Sequence, residues 1–128
     1  NVVVYIQDIK KGKPFNYSPP LIEAVDCKFE PYISIVRDRN KIMVVNKDPI
    51  FHDIQGYEPS KRGARVLFNT PLPMSKRLKK KDFLDGKTVK HRAGKVLTQP
   101  IKMGKGRDLF IMQCGFHAYM ESWAFVAE

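Results

Sequence analysis

Cysteine is scarce in this 128-residue chain, which has only Cys27 and Cys114, three histidines and one tryptophan. A framework of several disulfides is therefore excluded, and stability has to come from a packed core, for which the length is sufficient. Long apolar runs are missing as well. No stretch approaches the roughly 20 residues that cross a bilayer. The charged, then apolar, then small-residue order of a signal peptide is missing, and the chain opens inside strand-like sequence, "NVVVYIQ", as expected of a mature or trimmed form, which leaves the compartment open. Acids are nearly absent between residues 61 and 107, where 15 Lys and Arg face only Asp82 and Asp85, a local +13 within a net charge of +10. Such a field speeds association with an acidic surface more than it specifies the partner. No Ser-His-Asp or paired-carboxylate set is spaced for hydrolysis, and the chain reads as a protein that is not an enzyme.

What is present is strand-like sequence cut by turns. Nine prolines, eight glycines and an apolar share of 43 % suit short strands better than disorder. Val2 to Gln7 reads as a strand, and residues 10 to 20, with a double proline, as loop. Residues 32–38 and 41–47 are β-branched runs separated by Arg39-Asn40, which predicts a tight hairpin. Further strands are expected at 50–55, 64–70, 108–113 and 122–127. Ser75 can cap a short helix over 74–84, and residues 86–106 read as a short strand pair. Without repeats or a second unit, residues 1–128 are expected to form a single all-β domain. Seven to eight strands predict a β-sandwich with a basic, less regular insertion around 71–106.

The sequence "QCGFHAYM" places Cys114, His117 and Met120 within seven residues, between two strand-like stretches. Apolar packing does not call for a thiol, an imidazole and a thioether so close together. Together they form a soft to borderline ligand set, poorly suited to calcium or magnesium and well suited to copper. His52 follows "NKDPIF" at a strand end and can complete the set, the other reading being a core histidine bonded to backbone. The other reading of Met120 is a flexible gap-filler in a core, but with Cys114 and His117 on the same loop it is read as a ligand. His91, among cations, is read as solvated, and Met43, Met74, Met103 and Met112 as packing residues. The even cysteine count leaves a Cys27–Cys114 disulfide open, which would exclude thiolate ligation by Cys114; otherwise Cys27 reads as a buried thiol.

"VVNKDPIFHDIQ" followed by "CGFHAYM" resembles the cupredoxins, the small blue copper proteins, and the Cys-x-x-His-x-x-Met spacing resembles their short-loop, amicyanin-like members. "GARVLFNTPLP" and "DCKFEPYISIV" resemble cupredoxin-like domains near methylamine utilisation and c-type cytochromes. The resemblance implies a Greek-key sandwich, one copper per chain, His52, Cys114 and His117 as equatorial ligands, and Met120 as the axial ligand. It implies single-electron transfer in the bacterial periplasm or another extracytoplasmic place. The implied partner is acidic, such as a c-type cytochrome, docking near Phe116, His117 and Tyr119 and the basic run 76–81, or the chain is a subunit of a larger assembly. Asp53 stands where many cupredoxins have Asn, and is expected to face Gln113. Ala118 stands where the loop often has Pro. The lysine run is read first as solvated surface, then as an acidic-protein or lipid interface, and last as a nucleic-acid site, since aromatics are not interleaved with it. Copper storage or delivery, and a metal-free sandwich with a basic partner face, are the alternative functions.

Overall fold

The computed structural model describes residues 2–6, 8–14, 16–76 and 92–127. Among them are nine strands: β1 (Leu21–Val25), β2 (Lys28–Glu30), β3 (Ile33–Arg37), β4 (Lys41–Asn46), β5 (His52–Ser60), β6 (Gly63–Leu72), β7 (Leu97–Pro100), β8 (Leu109–Gln113) and β9 (Glu121–Ala127). They form two sheets, ordered β2-β1-β4-β7 and β3-β9-β8-β5-β6. Alternation drives the layering. In β9 every second residue, Ser122, Ala124 and Val126, is buried, and β3 likewise buries Ser34 and Val36. Ile22 and Ala24 of β1 with Ile42 and Val44 of β4 join Ile54, Phe68, Leu72, Phe110 and Met112 of the opposite sheet in one core. This is the all-β sandwich expected from the turn-punctuated sequence.

The hairpin predicted across Arg39-Asn40 does not form. Both runs are strands, but β3 pairs in parallel with β9, while β4 pairs in parallel with β1 and antiparallel with β7. Arg39 takes a left-handed φ of 60°, the Asp38 N–H donates to Ala127 O, and Asn40 O accepts from Ile101 N–H, so the chain crosses between sheets here. Burying an apolar face of each strand in the shared core outweighs pairing them edge to edge. The strand expected from Val2 is also absent. Residues 2–6 are outside any strand, with Val2 86 % and Val4 84 % exposed, and only Tyr5 stacks on Phe125, at 4.6 Å. Both neighbours of β9 are already taken by β3 and β8, so the segment finds no ladder there.

Other boundaries shift. The 50–55 strand begins at His52 and runs to Ser60, with a register irregularity at Gly56/Tyr57, while β1 and β2 were not expected. Of the predicted 74–84 helix only Met74–Lys76 are described, and they are not helical. Met74 is 41 % exposed and so is not the packing residue expected. The rest of that helix, most of the 76–81 run, and His91 lie outside the described residues. One member of the strand pair expected in 86–106 is β7.

Neighbouring strands of the five-stranded sheet bring the candidate residues together. Gln55 pairs with Gln113 across β5 and β8, and extending that antiparallel register brings the start of β5, His52, alongside the loop from Cys114 to Met120.

Candidate metal centre

Three side chains meet at that loop. His52 Nδ1 lies 3.1 Å from His117 Nδ1, and Cys114 Sγ lies 3.8 Å from His52 Nδ1 and 3.6 Å from His117 Nδ1. Donor atoms that share a small ion through bonds of about 2.0–2.3 Å stand roughly 3–4 Å apart, so the triangle fits one metal. His52 and Cys114 are buried and His117 is half-buried. Met120 is 1 % exposed. Its N–H donates to His117 O and its carbonyl accepts from Cys114 N–H, which closes the loop on itself and holds Cys114, His117 and Met120 in one tight turn. Neither cysteine is in a disulfide, so the Cys27–Cys114 bridge does not form.

The ligand atoms are held from behind. His52 Nε2 donates to Asp48 Oδ2 at 2.9 Å, which leaves Nδ1 as the ring nitrogen facing Cys114 and His117. Asp48, itself 1 % exposed, also accepts the N–H groups of Asp26 and Cys27 at 2.8 and 3.0 Å. Burial raises its pKa, but the bond from His52 and those two N–H groups outweigh burial and hold the carboxyl below its ordinary range. This carboxylate–histidine contact orients the imidazole. Sequence reading missed Asp48; its spacing of four residues before His52 was the available signal.

Asp53 does not face Gln113; Gln55 does. The Asp53 carboxylate reaches the loop instead, accepting Gly115 N–H at 2.6 Å and the Gln55 amide at 3.0 Å. Burial pushes its pKa up, but the bonds from Gln55 and Gly115 outweigh it, so it too is held low. Asp53 thus ties β5 to the loop. A Cβ at Gly115 would come within 2.2 Å of Gln55 Nε2, so Gln55 would have to shift from its bond to Asp53. Burial raises the Cys114 thiol pKa, and the backbone N–H groups of Asp53, Phe116 and His117 directed at the sulfur oppose it. A bound cation would add strongly to that opposition.

Aromatic side chains ring the exposed side of His117. Phe116, Tyr119 and Phe51 are 62 %, 69 % and 44 % exposed, and Phe51 meets Phe116 edge-on at 5.1 Å. Among the described residues no helix is long and apolar enough to cross a membrane.

No protein-family model and no curated protein matches the chain. Solved structures do resemble it. A reduced Cu(I) form of an amicyanin variant aligns over 89 % of this chain and 87 % of its own, with a TM-score of 0.54 at 11 % identity. A purple cupredoxin from Nitrosopumilus maritimus aligns over 84 % and 99 %, with a TM-score of 0.54 at 14 % identity. A second amicyanin variant in its Cu(I) form aligns over 89 % and 87 %, with a TM-score of 0.51 at 13 % identity. The chain has the cupredoxin fold, and the arrangement of His52, Cys114, His117 and Met120 fits a type 1 copper site.

Proposed function

From that fold and that arrangement we propose that the chain is a mononuclear type 1 copper protein carrying single electrons between redox partners. The observation that carries the reading is the buried triangle of His52 Nδ1, Cys114 Sγ and His117 Nδ1 with Met120 on the same loop. His52, Cys114 and His117, with Met120 on the same loop, would hold the ion. Copper so held supplies a one-electron couple, because thiolate, imidazole and thioether tolerate both oxidation states.

The chain's own part is rigidity and access. Asp48 fixes the ring of His52, Asp53 fixes the loop through Gly115, and the Met120–Cys114 and His117–Met120 backbone bonds set the ligand spacing, so little rearrangement accompanies a change of charge. His117 is the ligand nearest solvent. The apolar ring of Phe51, Phe116 and Tyr119 around it suits brief docking, which buries little area and is hastened by charge steering. The excess of Lys and Arg between 61 and 107 favours an acidic partner, such as a c-type cytochrome, free or within a larger assembly. The similarity to amicyanin favours a periplasmic or other extracytoplasmic place.

The test is direct voltammetry of the copper-loaded protein. A reversible one-electron couple with rapid exchange supports the reading. Copper that stays reduced over the accessible range would support storage or delivery instead.

A further inference from the structure

A second group of donor atoms lies against the first. The Sγ of Cys27, a carboxylate oxygen of Asp48 and a ring nitrogen of His52 all fall within 4.8 Å of one another. Asp48 meets His52 at Nε2, the nitrogen turned away from Cys114 and His117. The turn joining β1 to β2 presents the thiol. Asp26 and Cys27 both take left-handed φ values, 51° and 54°, a conformation that suits Gly or Asn better than other residues. The Asp48 carboxylate accepts the N–H of each and so fixes where the cysteine stands. Cys27 is half-buried beside the hydroxyl of Tyr119, itself mostly exposed, whereas Asp48 and His52 are sealed from water. An ion can therefore arrive from the Cys27 side.

We propose that Cys27, Asp48 and His52 form a second metal position for a borderline divalent cation such as zinc, with the His52 imidazole bridging it to the first. Thiolate, carboxylate and imidazole are all zinc ligands, and three protein donors leave a fourth position for water. Binding forms bonds from the cation to Sγ, to an Asp48 oxygen and to Nε2, and releases to solvent the Cys27 thiol proton and the Nε2 proton now given to Asp48. The inference rests on the proposed function only for what occupies Nδ1 of His52.

The experiment uses the full chain, Zn(II) and metal analysis after gel filtration, with circular dichroism to confirm folding. Cys114→Ser removes the thiolate of the first set, so zinc kept by this variant reports on the second. The expected result is one zinc held by Cys114→Ser, lost when Cys27→Ser or Cys27→Ala is added, and one zinc taken up by the copper-loaded wild type without loss of copper. Cys27→Ser alone should keep the copper colour. No zinc on folded Cys114→Ser, or the same zinc with Cys27 replaced, overturns the second position. Absence of copper colour in both the wild type and Cys27→Ser would instead count against the electron-transfer reading, whatever the zinc result.

Discussion

Replacing Asp48 by Asn and by Ala measures how firmly the metal-free protein holds His52. In the native chain one carboxylate serves three donors: Asp26 N–H at Oδ1, and Cys27 N–H and His52 Nε2 at Oδ2. Asn has the same shape but only one acceptor oxygen. It keeps the Asp26 bond and turns an NH₂ group toward two donors. Each lost hydrogen bond to a charged acceptor is worth about 1.5–3 kcal/mol, partly offset because a buried carboxylate no longer has to be desolvated, a cost of several kcal/mol. The expected net loss is about 2–3 kcal/mol for Asp48→Asn. Asp48→Ala leaves all three donors without their acceptor and should lose about 4 kcal/mol or more. Urea unfolding at neutral pH reads both. With a slope of about 2 kcal/mol per molar, the midpoint should fall by about 1–1.5 M for Asn and further for Ala. A loss below about 0.5 kcal/mol for Asn, within the range of an ordinary surface change, or an Ala variant no worse than Asn, would refute this view of Asp48.

Asp53→Ala removes the acceptor of Gly115 N–H and of the Gln55 amide; copper should then pass to a chelator at least about tenfold faster, as is usual when an outer-shell partner is lost, and an unchanged rate would contradict the latch. Glu58, buried in β5, accepts from Arg65 at 2.7 Å and Gly104 N–H at 2.6 Å, and the Arg65 guanidinium together with these contacts holds its pKa below the usual 4.5. Because the folded value is the lower one, its stabilisation is present above the unfolded value and lost as pH falls through the folded value. Glu58→Gln should therefore cost about 1–2 kcal/mol at neutral pH, and the gap to wild type should narrow as pH falls below 4.5, read as urea midpoints over a descending pH series. Phe116→Ala should leave stability within about 0.5 kcal/mol while slowing electron exchange with an acidic cytochrome, measured by stopped flow.

The four residues of the proposed site could be named from the sequence because three of them, Cys114, His117 and Met120, sit on one short loop and make a soft ligand set. Their closure onto His52 needed only one long-range fact, the β5–β8 register. The ordering of the strands was not legible. Both parallel pairs, β1 with β4 and β3 with β9, join segments far apart in the chain, and two adjacent β-branched runs look the same whether they pair or cross between sheets. The Val2 run shows the limit of strand propensity, since a strand forms only where a neighbour has a free edge. Cys27 was invisible as a member of a site because the β1–β2 turn of one sheet brings it to His52 of the other, whereas Asp48 stands only four residues before His52.

Visible absorption of the protein as isolated and after addition of Cu(II), with Cys114→Ser as the control, reads whether Cys114 binds copper. An intense thiolate-to-Cu(II) band that vanishes in the Cys114→Ser protein is the predicted result. A folded wild type that stays colourless with Cu(II) would rule out a type 1 copper centre on Cys114.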